Sequence, residues 1–294
     1  MLILVVTADY SKKNILDNKM IAIVVILLLI SVIILILVIP KKRIDNFTKP
    51  VTEDTVWTYW EPYPPALVKR CYKNWLQVGR LQDIRFLNSK NITQYIPEGE
   101  WNKIDKLAEN SAVKSDFIAM YLLHNYGGTW IDGSIFMRKP LFDWLPRGSQ
   151  FFSFHADRFS DHTKCPETFF MWSPKGHILP KIWYKELCEI AGGEGKIAFI
   201  KRVKKEYPKI SKNMQEEYLW VYIVGKYILL KYPELAESIK TASAEKGPWS
   251  ESEKYGWENV KTVCKKMKEE STQPLTKLHN ILRKNCSKDI VPLQ

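Results

Sequence analysis

Ser115-Asp116, followed by Tyr126-Gly127-Gly128-Thr129-Trp130-Ile131-Asp132-Gly133-Ser134, is the stretch on which the fold of this chain turns. Residues 111–125 read as a helix: Ser111 serves as N-cap, and Ala112, Ser115, Ala119, Leu122 and Leu123 supply a packing face. Gly127-Gly128 stops it, because glycine enters left-handed backbone without a steric cost. Thr129-Trp130-Ile131 then begins a strand, and Asp132 falls at its carboxyl end, the edge where open α/β sheets bind ligands. A carboxylate placed directly after a short buried strand is costly unless it binds something. The paired glycines let the backbone approach a ligand closely, and Asp116 can accept hydrogen bonds from ribose or sugar hydroxyls. A sugar diphosphate with a divalent cation held by Asp132 suits this arrangement. The blander alternative makes Tyr126-Gly127-Gly128 a helix cap and Asp132 a turn residue.

Working outward, residues 55–60 (Thr55-Val56-Trp57-Thr58-Tyr59-Trp60) are β-branched and aromatic and predict a first strand. Glu61-Pro62-Tyr63-Pro64-Pro65 breaks it; residues 66–76 predict a helix and 83–88 a second strand. Strand, helix and strand in that order predict an α/β domain with a parallel sheet of the nucleotide-binding kind. Further strands are expected at 151–154 and 168–172, and helices at 178–190, 215–230 and 258–268. His155-Ala156-Asp157 with Asp161-His162 alternates His and Asp, which can bind a transition metal, but this short polar segment reads better as an exposed loop. The tract from Trp249 to Trp257, with Glu251 and Glu253, has the look of a loop near an acceptor, with nothing in the sequence to fix it.

Residues 20–40 carry no charge, and Ser31 and Pro40 alone interrupt the apolar run. About twenty residues at helical rise span roughly 30 Å, the hydrocarbon thickness of a bilayer. The run is too long for a cleaved signal peptide and predicts a single-pass membrane anchor. The expected organisation is a tail at 1–19, a transmembrane helix at 20–40, a stem at 41–54 and a catalytic domain at 55–294. Lys12, Lys13 and Lys19 before the span nearly balance Lys41, Lys42, Arg43 and Lys49 after it, so charge leaves the orientation open. Sequons at Asn46, Asn91 and Asn285 permit a lumenal domain in the endoplasmic reticulum or Golgi.

The net charge of +12 admits nucleic acid, anionic membrane or phosphate-bearing small molecules as partners. No nucleic-acid-binding signature supports the first, and nucleic acid is not an expected partner. Aromatic residues make up 13% of the chain; they fill cores, and they also stack on sugars. The five cysteines contain no Cys-x-x-Cys pair, which argues against structural zinc and leaves disulfides open.

The segment from Ser115 to Ser134 resembles the donor-binding core of the capsular polysaccharide synthesis family and of the related sugar transferases of glycosyltransferase family 32. Val56-Trp57-Thr58-Tyr59-Trp60 is similar to their first strand, and Asn74-Trp75 to the pair that follows it. Phe169-Phe170-Met171-Trp172-Ser173-Pro174-Lys175-Gly176-His177 resembles a later block, and Lys277-Leu278 the closing one. The resemblance implies a GT-A fold, a Rossmann-like nucleotide-sugar-binding domain, here preceded by one transmembrane helix. It implies a nucleotide-sugar donor, a glycan or glycolipid acceptor, retention of anomeric configuration and a divalent cation, Mn²⁺ or Mg²⁺. Carried over by position, the donor-binding residues would be Trp57 near the base, Tyr59, Asp116, Gly127, Gly128, Asp132, Ser134 and Lys277. Asp132 and Ser134 would meet the metal, and Lys277 the leaving diphosphate.

Three positions depart from the family's pattern. Ala119 stands where an Arg is usual, Ser134 closes the Asp-x-Asp triplet with a hydroxyl, and Thr276 replaces a His before Lys277. They reduce the hard ligands available to a metal and motivate a rival reading: a catalytically inactive, membrane-anchored glycan-binding or scaffold protein of the same fold.

Overall fold

Val56–Tyr59 forms strand β1 with all four residues buried, as expected for a β-branched and aromatic run covered on both faces. This computed structural model describes residues 49–160, 163–266 and 272–278, and the compact unit that contains them begins at Lys49. The stem's last residues therefore belong to the domain, where the Lys49 carbonyl accepts a hydrogen bond from Arg85. The predicted anchor at 20–40 lies outside the described residues. Among those described, no helix is long and apolar enough to cross a membrane.

Helix α1 (Ala66–Gln77) follows β1 and leads to β2 (Ile84–Leu87). Helices α2 (Glu98–Leu107) and α3 (Ser111–Tyr126) precede β3 (Gly128–Ile131). Asn110, one residue before the expected cap, accepts from the amides of Ala112 and Val113 and starts α3. Then come β4 (Ile135–Met137), β5 (Phe151–His155) and β6 (Phe170–Ser173). Helices α4 (Ile178–Gly192), α5 (Gly195–Glu206) and α6 (Trp220–Lys231) lead to β7 (Ile239–Ser243). Helices α7 (Ser250–Tyr255) and α8 (Val260–Lys266) and strand β8 (Leu275–Lys277) complete the order.

The main sheet runs β2-β1-β3-β6-β5-β7. It is mixed, not wholly parallel as the strand-helix-strand pattern suggested: β1 is parallel to β2 and β3, while β6 is antiparallel to β3 and β5. Strand β7 pairs parallel with β5. This inversion gathers the carboxyl ends of β1, β3, β5 and β7 and the amino end of β6 on one edge.

A separate antiparallel pair, β4 with β8, sets Ile135 opposite Lys277. The Asn74-Trp75 pair of α1 clamps it. Asn74 exchanges hydrogen bonds with both the carbonyl and the amide of Met137, and the Trp75 indole donates to the Ile135 carbonyl. Leu81, Ile135, Met137, Leu141 and Leu275 join Trp75 in the core on this side. Cys71, Cys165 and Cys188 are free thiols, and Cys264 is disulfide-bonded.

Candidate active site

The ladder between β3 and β6 extends one step beyond the strands, with the Asp132 amide donating to the Phe169 carbonyl at 2.9 Å. The Asp132 backbone is thereby fixed at the sheet's carboxyl edge, where strand geometry predicts a ligand site. Its carboxylate forms an ion pair with Lys277, brought from 145 residues away by the β4–β8 pairing. The side chains are 32% and 15% exposed, so the pair lies open to an incoming ligand. The Lys277 ammonium also stands 5.3 Å from the centre of the Phe169 ring.

Asp116 projects from α3 toward the same place, near enough for its charge to feel Asp132 and Lys277. Burial raises its pKa to about 7; a hydrogen bond with Thr168 opposes the rise, Asp132 adds to it, and Lys277 opposes it. Glu167, at the approach to β6, is pushed up to about 8, again chiefly by burial. Arg158 and Lys277 lower it, while Glu245 and Asp116 raise it. Both carboxyl groups are crowded by protein yet keep accessible surface. The Asp132–Lys277 pair thus stands beside two carboxyls whose burial favours the protonated form, which can donate a hydrogen bond.

The other predicted donor residues support this cluster from below. Trp57 has no accessible surface; its indole donates to the Gly127 carbonyl at 2.8 Å and packs edge-on against Tyr95. This corrects its placement beside a nucleotide base, because a fully enclosed ring cannot touch a ligand. Tyr59 is likewise buried, with its hydroxyl donating to Glu61. The glycines allow close packing between backbones. A Cβ on Gly127, at φ +73°, would lie 2.6 Å from the Lys175 amide nitrogen. One on Gly128, at φ +92°, would lie 2.4 Å from the Thr55 carbonyl oxygen. Ser134 is buried, and its carbonyl accepts from the Leu278 amide.

The residues do not fit a dedicated metal cage. The carboxylate of Asp132 is already engaged by an ammonium, and Ser134 is enclosed. Thr276, in place of the usual His, is buried with its hydroxyl unpaired. Among the described residues no three His, Cys, Asp or Glu side chains stand together at metal-ligand spacing. Ala119 is packed in the core.

His155 ends β5 and is buried, not part of an exposed loop. Its Nε2 lies 3.0 Å from Asp157, which also accepts from Ser243. Burial lowers its pKa, which favours the neutral ring. Asp161 and His162 lie outside the described residues. Glu167 and Thr168 were missed because a parallel sheet brings only carboxyl ends to the ligand edge, whereas antiparallel β6 brings its amino end there. An acid immediately before a predicted strand was the available signal.

Residues 38–196, more than half of the chain, match the sequence profile described as "Capsular polysaccharide synthesis protein", and the chain belongs to that family. No curated protein matches it. Among solved structures, the chain is similar to a glycosyltransferase involved in the glycosylation of the major capsid of PBCV-1. The two share 9% identity, with 80% of this chain and 97% of that chain covered, at a TM-score of 0.40. It is also similar to the PaToxG glycosyltransferase, with 13% identity, 70% and 86% coverage, and a TM-score of 0.38.

Proposed function

We propose that this protein is a glycosyltransferase that moves a sugar from a nucleotide diphosphate donor to a glycan or glycolipid acceptor during polysaccharide or glycan synthesis. The observation that carries the reading is the meeting of Asp116, Asp132 and Lys277 at the sheet's ligand edge, in a chain of this family. In the reaction, the bond between the anomeric carbon and the diphosphate oxygen breaks, and an acceptor hydroxyl oxygen takes its place. The hydroxyl proton leaves with the diphosphate, and the configuration is retained. Lys277 turns from Asp132 to the leaving diphosphate, whose negative charge it stabilises. Asp132, released from its partner, and Asp116 orient the sugar and ribose hydroxyls. The Mn²⁺ or Mg²⁺ implied by the resemblance finds few hard ligands here, so Lys277 carries the charge compensation in this reading. The chain is anchored by residues 20–40 with its catalytic domain in the lumen of the endoplasmic reticulum or Golgi; the disulfide at Cys264 supports an oxidising compartment.

The test is release of nucleoside diphosphate by the full chain from a panel of UDP- and GDP-sugars, in Mn²⁺ and in EDTA. Turnover that survives EDTA and falls by about 10²-fold or more in Lys277→Ala is expected. No release from any donor, together with no nucleotide binding by calorimetry, would transfer the assignment to the non-catalytic glycan-binding protein.

A further inference from the structure

The carboxyl edge carries a second feature that the donor chemistry does not use. Arg158, just beyond β5, lies against two neighbouring indoles, its guanidinium carbon 4.8 Å from the Trp249 ring centre and 4.7 Å from that of Trp257. The two indoles are 5.6 Å apart at 66°. Glu245 and Glu253 hold the guanidinium from the side, at 3.8 and 3.6 Å, and the Trp257 Nε1 donates to Glu253 at 2.9 Å. Trp257 is thus fixed at its edge and backed by a cation while it and Tyr255 keep accessible surface.

The cluster is continuous with the donor site. Trp249 packs against Phe169 at 5.6 Å, Phe169 lies beneath the Lys277 ammonium, and the Lys277 amide donates to the Pro248 carbonyl. Two ring-to-ring steps of 5.6 Å each therefore lead from the residue under Lys277 to Trp257. Buried indoles are ordinary core material. An indole held rigid at the surface, at the end of an aromatic path from the reacting centre, presents a flat face at low entropic cost.

We infer that Trp257, braced by Arg158 and Trp249, is a saccharide-binding platform that seats the acceptor glycan beside the donor site. The inference rests on the glycosyltransferase reading and names its acceptor subsite. The chemistry fits a pyranose: its C–H-bearing face is weakly positive and apolar and matches the negative face of an indole. The guanidinium is already compensated by two carboxylates, so a neutral sugar suits the platform better than a phosphate or a uronate.

Saturation-transfer NMR on the full chain in detergent tests this with methyl glucoside, galactoside, mannoside and N-acetylglucosaminide, together with lactose and cellobiose. UDP and GDP are read separately. The wild type is expected to show contact to the ring protons of at least one saccharide. Trp257→Ala should weaken that saccharide's binding by about ten-fold or more. Trp257→Phe, which keeps an aromatic face, should retain most of it. If Trp257→Ala melts early, Trp257→Leu keeps an apolar side chain without the ring and replaces it. Equal saccharide contact in wild type and the ring-less variant, or no saccharide contact in the wild type, overturns the platform. Saccharide contact that depends on Trp257, in a protein that neither binds nor turns over nucleotide sugars, would leave the platform standing and remove the donor reading.

Discussion

The two ends of the main sheet treat charge in opposite ways. At the amino end, Arg85 of β2 is fully buried, and its Nε pairs with Asp83 at 2.8 Å. Its two terminal nitrogens donate to the Tyr95 hydroxyl and the Lys49 carbonyl, each at 2.7 Å. Thr55 donates to the same Asp83 at 2.6 Å, which ties the start of β1 to the start of β2. Every partner here comes from the protein. At the carboxyl end, the Asp132 carboxylate pairs with Lys277, and both keep accessible surface beside two carboxyls of raised pKa. A closed network specifies structure, whereas an open cluster of charge marks a place for a ligand.

The difference can be broken at the closed end first. Arg85→Ala leaves the Asp83 carboxylate without its cation and is expected to cost about 3–5 kcal/mol of stability. A drop of about 10 °C in melting temperature would register it. Next in size, Asn74→Ala removes both bonds to Met137 and leaves buried polar groups unpaired, at about 2–3 kcal/mol by urea titration. Because Asn74 braces the strand opposite Lys277, this variant should also weaken nucleotide diphosphate binding, which links the frame to the site.

A smaller effect sharpens the contrast through pH. The folded pKa values of Asp116 and Glu167 lie above their ordinary values of 3.8 and 4.5, so between those values and about 7 and 8 the folded state binds more protons than the unfolded one. Their contribution to stability is fully present below about pH 4 and is lost as pH rises toward 8. Thermal melts of Asp116→Asn should decline less across that window than those of the wild type. An unchanged slope would mean that Asp116 ionises as an ordinary surface carboxyl.

The sequence made the frame of the site readable and hid its meeting points. β1, α3 and β3 followed from β-branched runs, helical spacing and the glycine pair, all local signals. Strands β4 and β8, three residues each, carry too little pattern to detect, and β7 (Ile-Lys-Thr-Ala-Ser) is held by its pairing with β5 more than by any apolar run. The contact of Lys277 with Asp132 is a product of that cryptic β4–β8 pairing, so no spacing rule reaches it. Trp57 misled for a different reason. An aromatic residue on a strand suits a stacking role and a core role equally until the covering of both sheet faces is known.

If the Asp132–Lys277 pair exists to meet a ligand, Asp132→Asn, measured for stability and nucleotide binding on the same sample, separates that role from a structural one. The melting temperature is expected within about 2 °C of wild type, since a partly exposed ion pair stabilises little. A loss of about 10²-fold in donor turnover, with weakened diphosphate binding by calorimetry, is expected at the same time. A variant that melts far below wild type would make the pair part of the frame, and one that binds and turns over the donor normally would remove the pair from the ligand site.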